Sequence, residues 1–283
     1  MYILTKYSLY LDTHGHGQAE CSSAAAVAMA GGGRRTLRVR ACSWNVANVP
    51  PPAATLESWL NDVSTSDVYA IALQEVVDIN SPLTYLDVAT PLSSLFGGIS
   101  VDGLVGPISS AAASWQARLV EAFPGCTLLA RQTLVGMALF VFVRDEHVRF
   151  CGTPRVMALG VGPLGAGNKG AAAASLYVYG STLCIVCSHL SSGSTAKHCD
   201  LRNSESVLLH HTIQFPELGA GGQTPPSTIS AHDFVLWMGD FNYRIALPDG
   251  EVRALCGKGA GGSRTCMHNA RTHAFMAGAS SVR

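Results

Sequence analysis

Hydrophobic positions along this chain fall mostly into short apolar runs rich in β-branched and aromatic residues, the pattern of strands, and three stretches suggest helices. The clearest run is Phe234-Val235-Leu236-Trp237-Met238, a strand of buried type expected to break at Gly239 and to present Asp240, Asn242 and Arg244 just past its end. Earlier in the chain, Leu37, Val39 and Ala41 alternate with arginines as in a half-buried strand that ends at Ser43-Trp44-Asn45-Val46, and Pro50-Pro51-Pro52 forbids its continuation. A short helix is expected over 56–60, then a strand over 68–73 with Gln74-Glu75 at its end.

Helical spacing through Trp115, Leu119 and Phe123 predicts a helix from Ser109 that Pro124-Gly125 terminates. Residues 126–130 and 134–143 read as antiparallel neighbours, and two further strands are expected over 173–179 and 182–187, the latter running into Ser188-His189-Leu190. A helix is expected over 202–214, before a Gly/Pro/Ser loop over 219–231 that leads back to the Phe234 strand. The order implies one α/β domain over 37–258. Residues 1–36, biased toward Gly, Ala and Ser, read as a flexible leader, and residues 259–283 as a disordered tail.

Composition narrows the class. Lys and Arg total 19 and Asp and Glu total 19, so the chain is neutral, which argues against a nucleic-acid partner because phosphate neutralisation needs a basic face. The longest nearly unbroken apolar run, 133–143, is far short of the ~18 residues that a bilayer-spanning helix needs, so no transmembrane segment is expected, and at most a peripheral membrane contact. Nine cysteines, with one C-x-x-C at Cys184 and Cys187 inside an apolar run, imply core thiols in a reducing, cytoplasmic compartment rather than a zinc site. His14 and His16 read as solvated.

Five polar groups stand at strand ends or in a glycine loop: Asn45, Glu75, Lys169, His189 and the Asp240/Asn242/Arg244 set. Singly, each is an ordinary turn or edge residue. Together they describe a magnesium-assisted phosphohydrolase, because a hard cation prefers carboxylate and amide oxygens. Glu75 and Asn45 would position the ion, Asp240 would take a proton from the attacking water, and Asn242 with His189 would stabilise the oxygens as charge develops.

The blocks Ser43-Trp44-Asn45-Val46, Leu73-Gln74-Glu75-Val76, Gly167-Asn168-Lys169-Gly170, Cys187-Ser188-His189-Leu190, Arg202-Asn203 and Trp237-Met238-Gly239-Asp240-Phe241-Asn242-Tyr243-Arg244 resemble, in order and spacing, the inositol polyphosphate 5-phosphatase catalytic domain, and most of all its synaptojanin-like branch. The resemblance implies a four-layer sandwich of two packed mixed β-sheets flanked by helices. It also implies removal of the 5-phosphate from phosphoinositides or inositol polyphosphates with Mg2+. By motif, Asn45 and Glu75 fall in the metal site, His189 on the scissile phosphate, Asp240 as the base and Asn242 as transition-state stabiliser. Asn168 and Lys169 match a loop associated with another head-group phosphate, and Arg202, Asn203 and Arg244 are expected only near the site.

Beyond Gly257 the family pattern is lost: its Pro-Thr-Tyr-Lys, Trp-Cys-Asp-Arg and Ser-Asp-His segments are absent, and His268 and His273 do not replace the closing histidine. The expectation is therefore a second sheet lacking strands, with activity in doubt. A nuclease of the same superfold, or a relic that binds inositol phosphates without hydrolysis, are the competing readings.

Overall fold

A computed structural model of the chain describes residues 4–11, 24–25, 37–51, 55–60, 65–77, 99–100, 109–162, 166–217, 225–244, 247–248, 250–251 and 276–279. His14, His16, His268 and His273 lie outside the described residues. In chain order the elements are β1 (Leu4–Leu11), β2 (Ala24–Ala25), β3 (Leu37–Asn45), α1 (Thr55–Leu60), β4 (Val68–Gln74) and β5 (Ile99–Ser100). There follow α2 (Ser110–Ala122), β6 (Cys126–Leu134), β7 (Met137–Arg144), α3 (Asp145–Val148), β8 (Arg155–Gly160), β9 (Gly170–Val178), β10 (Ser181–His189), α4 (Ala196–Thr212), β11 (Phe234–Asp240) and β12 (Met276–Ala279).

The strands make two mixed sheets. One has the order β2-β1-β3-β4-β7-β6, the other β12-β11-β10-β9-β8-β5. In the first, β3 and β4 run parallel, and in the second β10 and β11 do, so both parallel pairs send their carboxyl ends to one end of the molecule. Side chains alternate across each strand. Val39 and Ala41 of β3, Ala70 and Ala72 of β4, and Leu139 and Val141 of β7 therefore enter the core between the sheets, against Ala172, Ala174, Ile185, Leu236 and Met238. The opposite faces of the first sheet, Trp44, Tyr69, Ile71 and Phe142, pack under α1 and α2 through Trp59, Trp115 and Leu119. On the far side, Val186 and Trp237 meet Leu209 of α4 and Phe215. The four layers follow from this: each sheet is covered on both faces, which is why its strands read as continuous apolar runs.

Helix α2 matches its expected span, with the Ser109 hydroxyl accepting from the Ala112 N–H at the amino end. Four boundaries differ. The β6–β7 turn falls at Val135-Gly136, later than the gap expected at 131–133, because Val135 takes φ +42° to make a two-residue connection. Helix α4 starts six residues before the expected Arg202; its buried residues are Arg202, Glu205 and Leu209, so the six residues before them bury nothing and carry no apolar period. Strand β11 does not break at Gly239 but continues through Asp240. Gly239 has φ +138°, and a Cβ there would lie 2.0 Å from the Ser188 carbonyl oxygen of β10, so glycine serves a close backbone approach.

The fourth difference is at the ends. Within the span expected to be a flexible leader, β1 pairs antiparallel with β3 from Leu4↔Trp44 to Leu11↔Leu37. Within the span expected to be a disordered tail, β12 lies antiparallel on β11, so the second sheet has six strands among the described residues. Cys184 and Cys187 are fully buried free thiols, as the core reading expects; burial pushes Cys184 up and Cys187 up to about 12, so both keep their protons. No helix among the described residues is long and apolar enough to cross a membrane.

Candidate active site

The carboxyl ends of β3, β4, β10 and β11 deliver Asn45, Glu75, His189 and Asp240 to one point. Ligand atoms of Glu75, His189 and Asp240 all lie within 4.8 Å of one another. Asn45 Nδ2 donates to Glu75 Oε1 at 2.9 Å and to Asp240 Oδ2 at 3.0 Å, so one amide bridges acids carried by different sheets. Its Oδ1 accepts from the Ala47 N–H at 3.0 Å. His189 Nε2 stands 3.8 Å from Glu75 Oε1 and 3.6 Å from Asp240 Oδ2.

Glu75 reaches this point through a backbone departure. In a regular strand it would face away from its neighbour Gln74, yet it takes φ +56°. A left-handed non-glycine residue costs ~1–3 kcal/mol. Three backbone hydrogen bonds hold the segment: Val46 N–H to Gln74 O at 2.8 Å, Asn48 N–H to Glu75 O at 2.6 Å and Val76 N–H to Gly136 O at 3.0 Å. Asn242, at φ +54°, turns the chain just after β11, a conformation that asparagine tolerates well.

Lys169, on the loop before β9, places Nζ 2.7 Å from His189 Nε2. A charged ammonium has no lone pair and only donates, so His189 Nε2 accepts while Lys169 keeps its charge. Burial lowers the Lys169 pKa below the usual lysine range, opposed by the negative charges of Asp240, Glu75 and Glu205. Two carboxylates, an amide and an imidazole around one point make a mainly hard-oxygen donor set that suits a divalent cation such as Mg2+ or Ca2+.

The other expected residues are arranged around this cluster. Asn242 is buried; its N–H donates to Asp240 Oδ1 at 3.1 Å and its Nδ2 to Leu190 O at 2.9 Å. Arg244 is exposed and donates to Asn242 Oδ1 at 3.2 Å. Asn168 is not joined to the cluster: its buried Oδ1 has no hydrogen-bond partner and packs beside Gly162. Arg202 is buried on α4, donates to Ser191 O and Gly193 O, and lies over the Tyr243 ring. The Tyr243 hydroxyl donates to Asn203 Oδ1 at 2.6 Å.

Sequence reasoning missed Glu205. This buried glutamate accepts from the N–H and the hydroxyl of Ser191 and so ties down the loop after His189. Its signal was its position one turn after Arg202, which puts both on one helix face.

The family model "Endonuclease/Exonuclease/phosphatase family 2" matches residues 42–263. The chain belongs to this family. Within it, the chain is similar to inositol polyphosphate 5-phosphatases: it is 29% identical to Synaptojanin-1 of Rattus norvegicus over 245 residues, 78% of this chain and 14% of that protein. It is 38% identical to Type I inositol polyphosphate 5-phosphatase 4 of Arabidopsis thaliana over 130 residues, 45% of this chain and 24% of that one. The chain thus spans less than a quarter of the length of these relatives.

Among solved structures, the inositol polyphosphate 5-phosphatase domain of SPsynaptojanin, in complex with inositol (1,4)-bisphosphate and calcium ion, aligns with a TM-score of 0.55 at 21% identity, covering 91% of this chain and 59% of that one. The endonuclease/exonuclease/phosphatase sandwich is therefore the fold of this chain, as its sequence blocks imply.

Proposed function

We propose that this family member is a Mg2+-dependent phosphatase that removes the 5-phosphate from phosphoinositides or soluble inositol polyphosphates. The observation that carries the reading is the convergence of Glu75, His189 and Asp240 within 4.8 Å, from three strands of two sheets. Family membership and the names of the relatives supply the substrate class.

Glu75 is the principal metal ligand, and Asn45 either bridges the two acids or, with its amide turned over, offers Oδ1. Mg2+, when bound, neutralises charge on the scissile phosphate. Asp240, held by Asn45 Nδ2 and by the Asn242 N–H, accepts the proton of the attacking water. His189 stands beside both acids, and the charged Lys169 that donates to its Nε2 supplies, together with it, the place where a phosphate oxygen is stabilised as charge builds. The Asn242 amide, fixed by Leu190 O and Arg244, has a second N–H for the same charge. Asn168, Lys169 and Arg244 contribute to head-group binding. A membrane-embedded phosphoinositide would be met by peripheral contact on the cytoplasmic side.

The neutral charge of the chain favours inositol phosphates over nucleic acid as substrate. Phosphate release from phosphatidylinositol 4,5-bisphosphate, measured beside nicking of plasmid DNA, tests the reading. Release without nicking is expected. Nicking without release would replace it with a nuclease, and Mg2+-dependent head-group binding without turnover would replace it with a binding relic.

A further inference from the structure

Directly beneath the acidic cluster, a second polar group crosses the apolar space between the sheets. Gln74, the last residue of β4, is fully buried. Its Nε2 donates to Cys187 Sγ of β10 at 3.4 Å, and its Oε1 accepts from the Ser43 hydroxyl of β3 at 3.4 Å. Cys187 in turn donates to Leu73 O at 3.8 Å. Cys187 belongs to the core between the sheets, among Ala72, Leu139, Ile185 and Met238.

Each of these residues is tied to a site residue. Ser43 is two before Asn45 and Cys187 two before His189, so each shares a strand face with the group above it. Gln74 immediately precedes Glu75, and the left-handed turn at Glu75 lets both side chains reach toward the second sheet. The relay therefore couples the three strands that carry Asn45, Glu75 and His189, one layer below them.

An amide in such a place is not explained by stability. Burying it costs free energy that a thiol, a weak acceptor, recovers poorly, and an apolar side chain of similar volume would pack there without that cost. What the amide adds is direction. Apolar contacts between two sheets allow sliding, whereas a hydrogen bond between Gln74 and Cys187 sets how β4 and β10 stand relative to each other. We propose that Gln74 is a positioning residue: oriented within its own sheet by Ser43, it holds the two sheets through Cys187 at the separation and register at which Glu75 and His189 meet around a divalent cation.

The inference rests on Glu75 as a metal ligand, and its test uses Mn2+ alone as the binding probe. Gln74→Met keeps the volume and removes the amide. It is expected to melt at or above the wild-type temperature, yet to bind Mn2+ about 10- to 100-fold more weakly by calorimetric titration, the range seen when partners that orient ligands are removed. In the phosphatase assay kcat should fall while KM for the head group stays level. Cys187→Ala should move the same way, the double variant should be no worse than the worse single one, and Cys187→Ser, which keeps an acceptor, should restore Mn2+ affinity.

Wild-type Mn2+ affinity in a folded Gln74→Met, or additive losses in the double variant, would overturn the proposal. If Gln74→Met fails to fold, the comparison of Cys187→Ala with Cys187→Ser decides it by the same Mn2+ readout. A wild-type chain that binds Mn2+ without releasing phosphate would defeat the phosphatase reading and leave the role of Gln74 to be judged by binding.

Discussion

Asn45 and Asp240 are 195 residues apart in the chain and joined by a hydrogen bond of 3.0 Å. The bond runs from the first sheet to the second and closes the end of the sandwich where Glu75 and His189 also emerge. Glu75 and Asp240 thus share a donor, and the two acids face each other across the gap between the sheets.

Asp240→Asn removes the proposed base and one of two facing negative charges. Phosphate release should fall roughly 10²- to 10⁴-fold, the usual contribution of a positioned general base. The melting temperature should hold or rise, since the repulsion with Glu75 is relieved. Turnover by steady-state assay and thermal melts of the same preparation check both halves of this expectation.

Metal removal should abolish turnover and lower stability together. A cation that binds only the folded chain stabilises it by ~2.7 kcal/mol at a concentration 100 times its Kd. Titrating Mg2+ into chelator-treated protein should therefore raise the melting point and restore activity over one concentration range. Glu75→Gln should flatten both responses.

Acid should weaken the fold through His232. This residue is fully buried, shares a 2.7 Å hydrogen bond with Ser175 Oγ and places Nδ1 against the carbonyls of Thr228 and Ile229. Burial lowers its pKa below 6.5, with the nearby Arg155 acting in the same direction and Asp233 and the two carbonyls opposing. The unfolded chain thus binds the proton more readily, so this contribution is intact above pH 6.5 and is lost as pH falls from there toward the folded-state value. Urea midpoints of the wild type and of His232→Phe, measured between pH 8 and about 5, should converge as the pH falls. Parallel curves would show that His232 does not carry the effect.

Gly239→Ala should be among the most damaging single substitutions. The added Cβ would meet the Ser188 carbonyl at 2.0 Å, in a backbone conformation that costs an L-residue ~1–3 kcal/mol even in open space. Separation of β10 from β11 would move His189 away from Asp240, their partners in register. Loss of soluble folded protein, or of Mn2+ binding in whatever folds, is the outcome expected by circular dichroism and calorimetry.

Much of the fold was legible because burial writes a local pattern. The runs at 68–73 and 234–238 and the spacing of Trp115, Leu119 and Phe123 report which faces are covered, and the structure covers them. Residues 4–11 and 276–279 gave no comparable signal, since each of these strands depends on partners distant in the chain: β1 on residues 37–44 and 24–25, β12 on residues 234–237. The amino end of α4 was hidden for a different reason: residues 196–201 bury no side chain, and the first buried groups, Arg202 and Glu205, bind the loop after His189 instead of packing as apolar side chains.

By itself the sequence determined the strand-forming runs, the identity and order of the chemical groups, and membership of a family, for all of these are carried by neighbours along the chain. Only the tertiary structure decided that Asn45, Glu75, His189 and Asp240 meet, that the Asn168 Oδ1 is buried without a hydrogen-bond partner, and that Gln74 bridges the sheets beneath them. Those relationships depend on how two sheets face each other and on a left-handed turn at one glutamate. Spacing along a chain does not encode the gap between surfaces; packing and a few directional hydrogen bonds set it.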